Sequence, residues 1–151
     1  MSNHAYINIF FHIVWGTRDK ENLIKKDFQK KLYNFIYGIT LKKDWHLVEI
    51  GGTQDHIHIL LQITDFRENV PDIIRCLKSN SSKYVRDCFD KNFGWQNGYS
   101  IFSVGRREIE QIKNYIQNQE KHHEIMNCEE EYVLMLKKNS IKYRYKNRFN
   151  N

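Results

Sequence analysis

The sequence contains little proline and cysteine. One proline and seven glycines stand among 151 residues, so no long flexible linker is expected, and residues 1–151 are predicted to form a single domain with its own core. Three cysteines, Cys76, Cys88 and Cys128, are widely spaced and odd in number. This pattern argues against a disulfide framework or a zinc ribbon and favours a reducing compartment.

Long hydrophobic runs are also missing. The most apolar segment, residues 7–15, is interrupted by Asn8 and His12 and is too short to span a bilayer. Residues 1–5 lack the basic start and apolar stretch of a signal peptide. We therefore expect a cytoplasmic protein without a membrane partner.

Charge and hydropathy indicate a globular protein with an excess of positive charge. Hydrophobic residues make up 40% of the chain, the net charge is +6 and the pI is about 9.2. The hydrophobic content excludes a disordered chain. The basic excess suits a nucleic acid, although ribosomal and membrane-surface proteins share it.

The hydropathy pattern predicts an α+β fold. Strands are predicted over residues 6–15, 45–50, 55–63 and 99–104, and helices over residues 27–40, from Pro71, over 106–123 and over 129–138. The order βαββαβ predicts a ferredoxin-like sandwich with an antiparallel sheet in the order 4-1-3-2. Both crossover helices are expected on one face, with an added C-terminal helix, and a tight turn is expected at Gly51 and Gly52.

Two histidines lie in the third predicted strand. His56 and His58 are two residues apart, so both imidazoles point to the same face and can reach one divalent ion. Asp55 is placed to orient one of these ligands. An isolated pair of this kind is also compatible with a solvated sheet face.

Tyr115 and Gln119 are four residues apart in the predicted helix 106–123, so they are expected on one helix face. Together with the two histidines they supply two imidazoles, an amide oxygen and a phenol, which suits a metal-assisted attack on a phosphodiester. A tyrosine beside an apolar stripe often only caps a core. His122 and His123 follow in the sequence. They are compatible with three roles, as metal ligands, as phosphate contacts or as solvated residues at the end of the helix.

Basic and hydroxyl side chains form several candidate DNA contacts. They are Lys78, Ser82, Lys83, Arg106 and Arg107, together with a basic C-terminal tail over residues 137–151 that interleaves aromatic rings. The composition of residues 137–151 is explained equally well by a solvated tail that binds no DNA.

The motifs together resemble the single-tyrosine HUH transposases of the insertion-sequence 200/605 group. The resemblance is carried by residues 11–17, the HUH stretch 55–59, residues 77–83, 95–99 and 115–123, and the late stretch 129–132. One departure is Gln54, where a proline commonly precedes the Asp-His pair.

The resemblance implies a role for each site residue. His56, His58 and Gln119 would bind Mg²⁺ or Mn²⁺, and Tyr115, on the added C-terminal helix, would be the nucleophile that forms a 5′-phosphotyrosine. It further implies single-stranded DNA with hairpins as substrate, and a homodimer. The helix that carries Tyr115 could fold over its own sheet or reach the partner's histidines, as in some members of the family, and we hypothesise sites completed by the partner's tyrosine. The alternatives are a domesticated endonuclease acting on chromosomal repeats, a non-catalytic single-stranded DNA-binding module, and a metal-dependent hydrolase.

Overall fold

The computed structural model describes residues 5–124 and 126–139. The chain divides into two compact units, Met1–Gln119 and Glu120–Asn151. The single domain over residues 1–151 stays a prediction. The predicted basic tail, residues 137–151, lies outside the described residues from position 140 onward.

The first unit contains a four-stranded sheet. The elements are β1 (Ile9–Gly16), α1 (Lys26–Lys42), β2 (His46–Gly52), β3 (His56–Ile63), α2 (Val70–Cys88), β4 (Ser100–Val104) and α3 (Ile109–Gln117). The strands are antiparallel and ordered β2-β3-β1-β4. The predicted α+β class, sheet order and hairpin are therefore confirmed.

Two further helices follow α3 along the chain. They are α4 (Gln119–His123), which begins at the last residue of the first unit, and α5 (Cys128–Lys138), which belongs to the second unit. Asn127 caps α5, because its side chain accepts a hydrogen bond of 2.8 Å from the Glu130 backbone N–H.

Alternation along β3 sends its side chains to two separate cores. Ile57, Ile59 and Leu61 pack with α1 and α2 in the larger core. Leu60 packs instead with Val104 and with Ile116 of α3. Successive side chains of a strand point to opposite faces, so α3 lies on the face that Leu60 shares with His56 and His58.

The predicted helix over residues 106–123 is interrupted. A 3-10 turn at Arg106–Glu108 precedes α3, and α3 ends at Gln117. The next residue, Asn118, has φ −103° and ψ 23°, and both its backbone N–H and its side-chain amide donate to the Asn114 carbonyl. Asparagine side chains compete in this way with the helical ladder, which explains why Tyr115 and Gln119 lie on different helices.

The two adjacent glycines lie in β2 and not in the predicted turn. The turn is formed by residues 53–55. A Cβ atom on Gly52 would lie 2.2 Å from the His56 carbonyl oxygen. The glycine therefore permits a close approach between the two arms of the hairpin.

None of the helices in residues 5–124 and 126–139 combines the length and apolar character needed to cross a bilayer.

Candidate metal and nucleophile site

His56 is oriented by the turn that precedes β3. Its Nδ1 lies 2.6 Å from Oδ1 of Asp55, and that carboxylate also accepts a hydrogen bond of 2.9 Å from the Thr53 hydroxyl. A carboxylate at Nδ1 places the ring proton there and leaves the lone pair of a neutral imidazole on Nε2. Asp55 thus has the orienting position expected from the sequence.

The other nitrogen of His56 faces the side chain of Gln119. Nε2 lies 3.1 Å from Oε1 of Gln119, although 63 residues separate the two. The Gln119 amide nitrogen donates to the Tyr115 carbonyl at 3.2 Å, so the amide oxygen is the atom turned towards His56. Both side chains are buried.

This geometry brings two hydrogen-bond acceptors together. With the proton of a neutral His56 on Nδ1, neither Nε2 nor the Gln119 oxygen has a hydrogen to offer. Such a pair requires a second proton on the imidazole or a cation between the two atoms. Two ligands at right angles on an octahedral ion with bonds of about 2.1 Å lie roughly 3 Å apart, so the observed spacing fits a small divalent ion.

His58 is fully buried and lies on the same face of the sheet. Its Nδ1 lies 2.7 Å from Nε2 of His12 in β1. The rings of His56 and His58 have centroids 5.0 Å apart and are nearly perpendicular. The structure therefore brings the two histidines and Gln119 together within the first unit.

Tyr115 lies beside these histidines. Its ring meets His58 edge-on with centroids 5.6 Å apart and meets His12 at 6.0 Å. The side chain is half-buried. These contacts are made within one chain.

The predicted DNA-binding residues fall into three places. Lys78 and Ser82 line a groove beside α2, Lys83 pairs with Asp87 on the surface of that helix, and Arg106 and Arg107 are exposed in the turn before α3. They do not form one cluster.

The groove beside α2 has a volume of about 710 Å³ and is strongly basic. Its lining includes Arg18, Arg75, Arg86 and Lys91, and none of its lining residues, all in the described part of the chain, is acidic. Tyr99 adds an exposed aromatic ring.

Lys78 connects the helix to the loop on the other side of this groove. Its ammonium donates to the carbonyls of Gln96 and Gly98 at 2.7 and 2.8 Å. Burial lowers the pKa of the Lys78 ammonium below its ordinary value. Lys78 thus stabilises the loop as well as adding charge.

His122 and His123 lie in the second unit and make contacts there. His123 Nε2 contacts a carboxylate oxygen of Glu131, and the rings of His122 and His123 are 5.5 Å apart. Both are half-buried, so they are not simply solvated.

Gln54 is the residue at which the sequence departs from the expected proline. Its backbone carbonyl accepts a hydrogen bond from the Ile24 backbone N–H.

Sequence reasoning assigned no role to His12 or Thr53. The sequence offered one signal for His12, which is a polar residue inside an otherwise largely apolar predicted strand. Its burial and the pairing of its strand with the one that carries His58 are visible only in the structure. Thr53 offered no comparable signal, because threonine is common in turns.

The part of the chain that matches a known protein family contains the whole of this site. The family described as "Transposase IS200 like" matches residues 5–119, which is most of the chain and includes every residue from His12 to Gln119. The chain belongs to the IS200-like transposase family. No curated protein matches it significantly.

Two solved structures show the same fold as this family member. A transposase candidate from Deinococcus radiodurans R1 is 21% identical with a TM-score of 0.64, over 79% of this chain and 96% of that chain. A REP-associated tyrosine transposase bound to a REP hairpin is 14% identical with a TM-score of 0.61, over 82% of this chain and 73% of that chain. The predicted α+β arrangement with a four-stranded antiparallel sheet is thus shared with both structures.

Proposed function

We propose that this transposase cleaves and rejoins single-stranded DNA at the ends of an insertion element, through a 5′-phosphotyrosine formed on Tyr115. The observation that carries the proposal is the approach of His56 Nε2 to Gln119 Oε1 at 3.1 Å, beside a tyrosine whose ring contacts His58. Two acceptors that face each other next to a phenol suit a metal-dependent tyrosine nuclease better than a passive binding surface.

His56, His58 and Gln119 would hold the ion, which we propose to be Mg²⁺ or Mn²⁺. Imidazole ligands bind Mn²⁺ more tightly than Mg²⁺, whereas the availability of the two ions favours Mg²⁺. The ion would polarise the scissile phosphate and offset its developing negative charge. Asp55 and Thr53 hold the His56 ring in the tautomer that this ligation needs.

Tyr115 is the proposed nucleophile. Its phenolic oxygen forms a bond to phosphorus while the bond from phosphorus to the 3′-oxygen breaks, and the departing strand leaves as a 3′-hydroxyl after taking up a proton. The phenol loses its own proton during attack, because a free tyrosine side chain is neutral at pH 7. A 3′-hydroxyl from another strand reverses the step and joins new ends.

The proposed substrate is single-stranded DNA that carries hairpins. The basic groove beside α2 supplies charge for phosphates and an exposed ring at Tyr99 for stacking. The similarity to a hairpin-bound tyrosine transposase agrees with this substrate. We place the reaction in the cytoplasm, carried out by a homodimer.

A second candidate is an endonuclease of the same chemistry that acts on chromosomal repeats without moving an element. The similarity to the REP-associated tyrosine transposase with a bound REP hairpin favours this second candidate. Flanking DNA separates the two, because imperfect hairpins at both ends close to the gene indicate a mobile element.

The proposal is tested by trapping the covalent adduct. Single strands from the DNA flanking the gene are incubated with the protein and Mn²⁺ and resolved on a denaturing gel. A 3′-labelled strand should migrate with the protein, whereas a 5′-labelled strand should be released as a shorter product. Tyr115→Phe should abolish the adduct, and Tyr37→Phe, at an exposed position in α1, should leave it unchanged. A normal adduct in Tyr115→Phe would reject the assignment.

A further inference from the structure

We propose that His12 is a positioning residue that fixes the tautomer and ring orientation of His58 and so prepares His58 Nε2 for a divalent ion. The inference rests on the proposed metal site. It assigns a task to a buried imidazole that the proposed reaction otherwise leaves unused.

His12 lies in the middle of the sheet. It stands opposite Leu60 of β3 on one side and Phe102 of β4 on the other, and only 4% of its surface is exposed. A polar ring in such a position destabilises the fold unless it is hydrogen-bonded. The contact of His12 Nε2 with His58 Nδ1 at 2.7 Å offsets that cost.

The same contact determines where His58 carries its proton. A metal-ligating imidazole is neutral and offers a lone pair, so it holds one proton on its other nitrogen. With Nδ1 of His58 against His12, a His58 that offers Nε2 to an ion holds its proton on Nδ1 and donates it to the lone pair of His12 Nε2. His12 would then be protonated on its own Nδ1, and Nε2 of His58 would be the nitrogen available to the ion.

The two histidines of β3 are therefore oriented by different partners. Asp55 binds Nδ1 of His56 from the adjacent turn, and His12 binds Nδ1 of His58 from the neighbouring strand. Loss of such a partner typically weakens metal binding by about 10- to 100-fold. The stacked rings of His12 and His58, with centroids 5.0 Å apart, also limit rotation of the ligand.

Two variants separate the hydrogen bond from simple packing. His12→Phe keeps an aromatic ring against Tyr115 and Phe102 but removes the acceptor. His12→Gln keeps an acceptor near the position of Nε2. Mn²⁺ affinity is measured by calorimetry, with His58→Ala as the reference for a lost ligand, and the His58 tautomer is read from long-range ¹H–¹⁵N correlations of the metal-free protein.

We expect His58 to carry its proton on Nδ1 in the wild-type protein and in His12→Gln, and to lose that preference in His12→Phe. Mn²⁺ affinity should fall about 10- to 100-fold in His12→Phe and clearly less in His12→Gln. The tautomer of the wild-type protein tests the inference even if His12→Phe does not fold, because a proton on Nε2 of His58 overturns it.

Two results distinguish the role of His12 from the metal site itself. Wild-type affinity in His12→Phe together with weakened binding in His58→Ala would reject only the role of His12. Equal losses in His12→Phe and His12→Gln would reject it as well, because packing and not the acceptor would then be responsible. Wild-type affinity in His58→Ala would reject the metal site and this inference with it.

Discussion

A Cβ atom on Gly51 in β2 would lie 2.4 Å from the carbonyl oxygen of Ile116 in α3. The backbone of the helix therefore rests directly on the backbone of the strand, and only glycine permits this approach. Ile116 follows Tyr115 and precedes Gln119 by less than one turn. Gly51 thus sets the height above the sheet of the proposed nucleophile, Tyr115, and of the proposed metal ligand, Gln119.

Replacing Gly51 with alanine should displace α3 and damage the site. The added methyl group meets backbone atoms, which cannot rotate away, so we expect destabilisation of about 1–3 kcal/mol. We also expect weaker Mn²⁺ binding and a severe loss of adduct. Thermal unfolding, calorimetry and the adduct gel measure the three effects.

Gly38→Ala is the matched control. Gly38 lies inside α1, and a Cβ atom there meets nothing within 4 Å. Alanine should stabilise the helix by about 0.5–1 kcal/mol and leave the adduct unchanged. Wild-type stability and cleavage in Gly51→Ala would show that α3 is not held in this way.

Much of the fold could be predicted because strand periodicity and turn residues act locally. The alternation of Ile57 and Ile59 with His56 and His58 identified β3 and the face of its histidines. The order of the elements then left few sheet topologies, and the ferredoxin-like one is correct.

The parts that the sequence did not reveal depend on single hydrogen bonds and on close approaches. Continuous helical periodicity concealed the interruption at Asn118, where one asparagine satisfies the Asn114 carbonyl twice. The contact between His12 and His58 needed the strand register. Gly51 was assigned to a turn because glycine serves turns and close approaches equally well.

Removing a proposed metal ligand should weaken Mn²⁺ binding and abolish or reduce cleavage. His56→Ala and His58→Ala should each abolish the adduct. Gln119→Ala should have a milder effect, since an amide oxygen is a weaker ligand for Mn²⁺ than imidazole. Calorimetric titration with Mn²⁺ ranks the three variants.

His46→Ala provides the control for these ligand variants, because His46 is exposed at the start of β2. It should bind Mn²⁺ like the wild-type protein. If His56→Ala and His58→Ala also retain wild-type affinity for Mn²⁺, the two histidines contribute only to the sheet and the proposed metal site is wrong.

The groove beside α2 should contribute to the binding of single-stranded hairpin DNA. Arg86 is exposed at the groove, so Arg86→Ala should weaken binding and reduce the dependence of log Kd on log salt by about one unit. The control Lys30→Ala lies at an exposed position of α1 outside the groove. Fluorescence anisotropy at several salt concentrations, with a fully paired duplex for comparison, provides the measurement.

Unchanged DNA affinity and unchanged salt dependence in Arg86→Ala would show that the groove does not contribute to DNA binding. The whole protein should also prefer hairpin-bearing single strands to the duplex, because exposed bases can stack on aromatic rings. Tighter binding to the duplex would contradict the proposed substrate.

The last prediction concerns which subunit supplies the tyrosine. Tyr115 already lies against His58 of its own chain, with ring centroids 5.6 Å apart, so each subunit should cleave with its own residues. Tyr115→Phe and His56→Ala subunits carrying different affinity tags are co-expressed, and mixed dimers are purified through both tags. Every site of such a dimer then lacks either the nucleophile or a metal ligand, and no adduct should form.

A dimer of one wild-type and one Tyr115→Phe subunit is the positive control, because it keeps one complete site and should give about half of the normal adduct. If sites are instead completed across the two-fold axis, the doubly mutated dimer pairs an intact Tyr115 with an intact His56 in one of its two sites. Recovered cleavage would therefore show that α3 exchanges between subunits. Failure to recover any protein through both tags would instead contradict the homodimer, and the site within one chain would then be the whole catalytic unit.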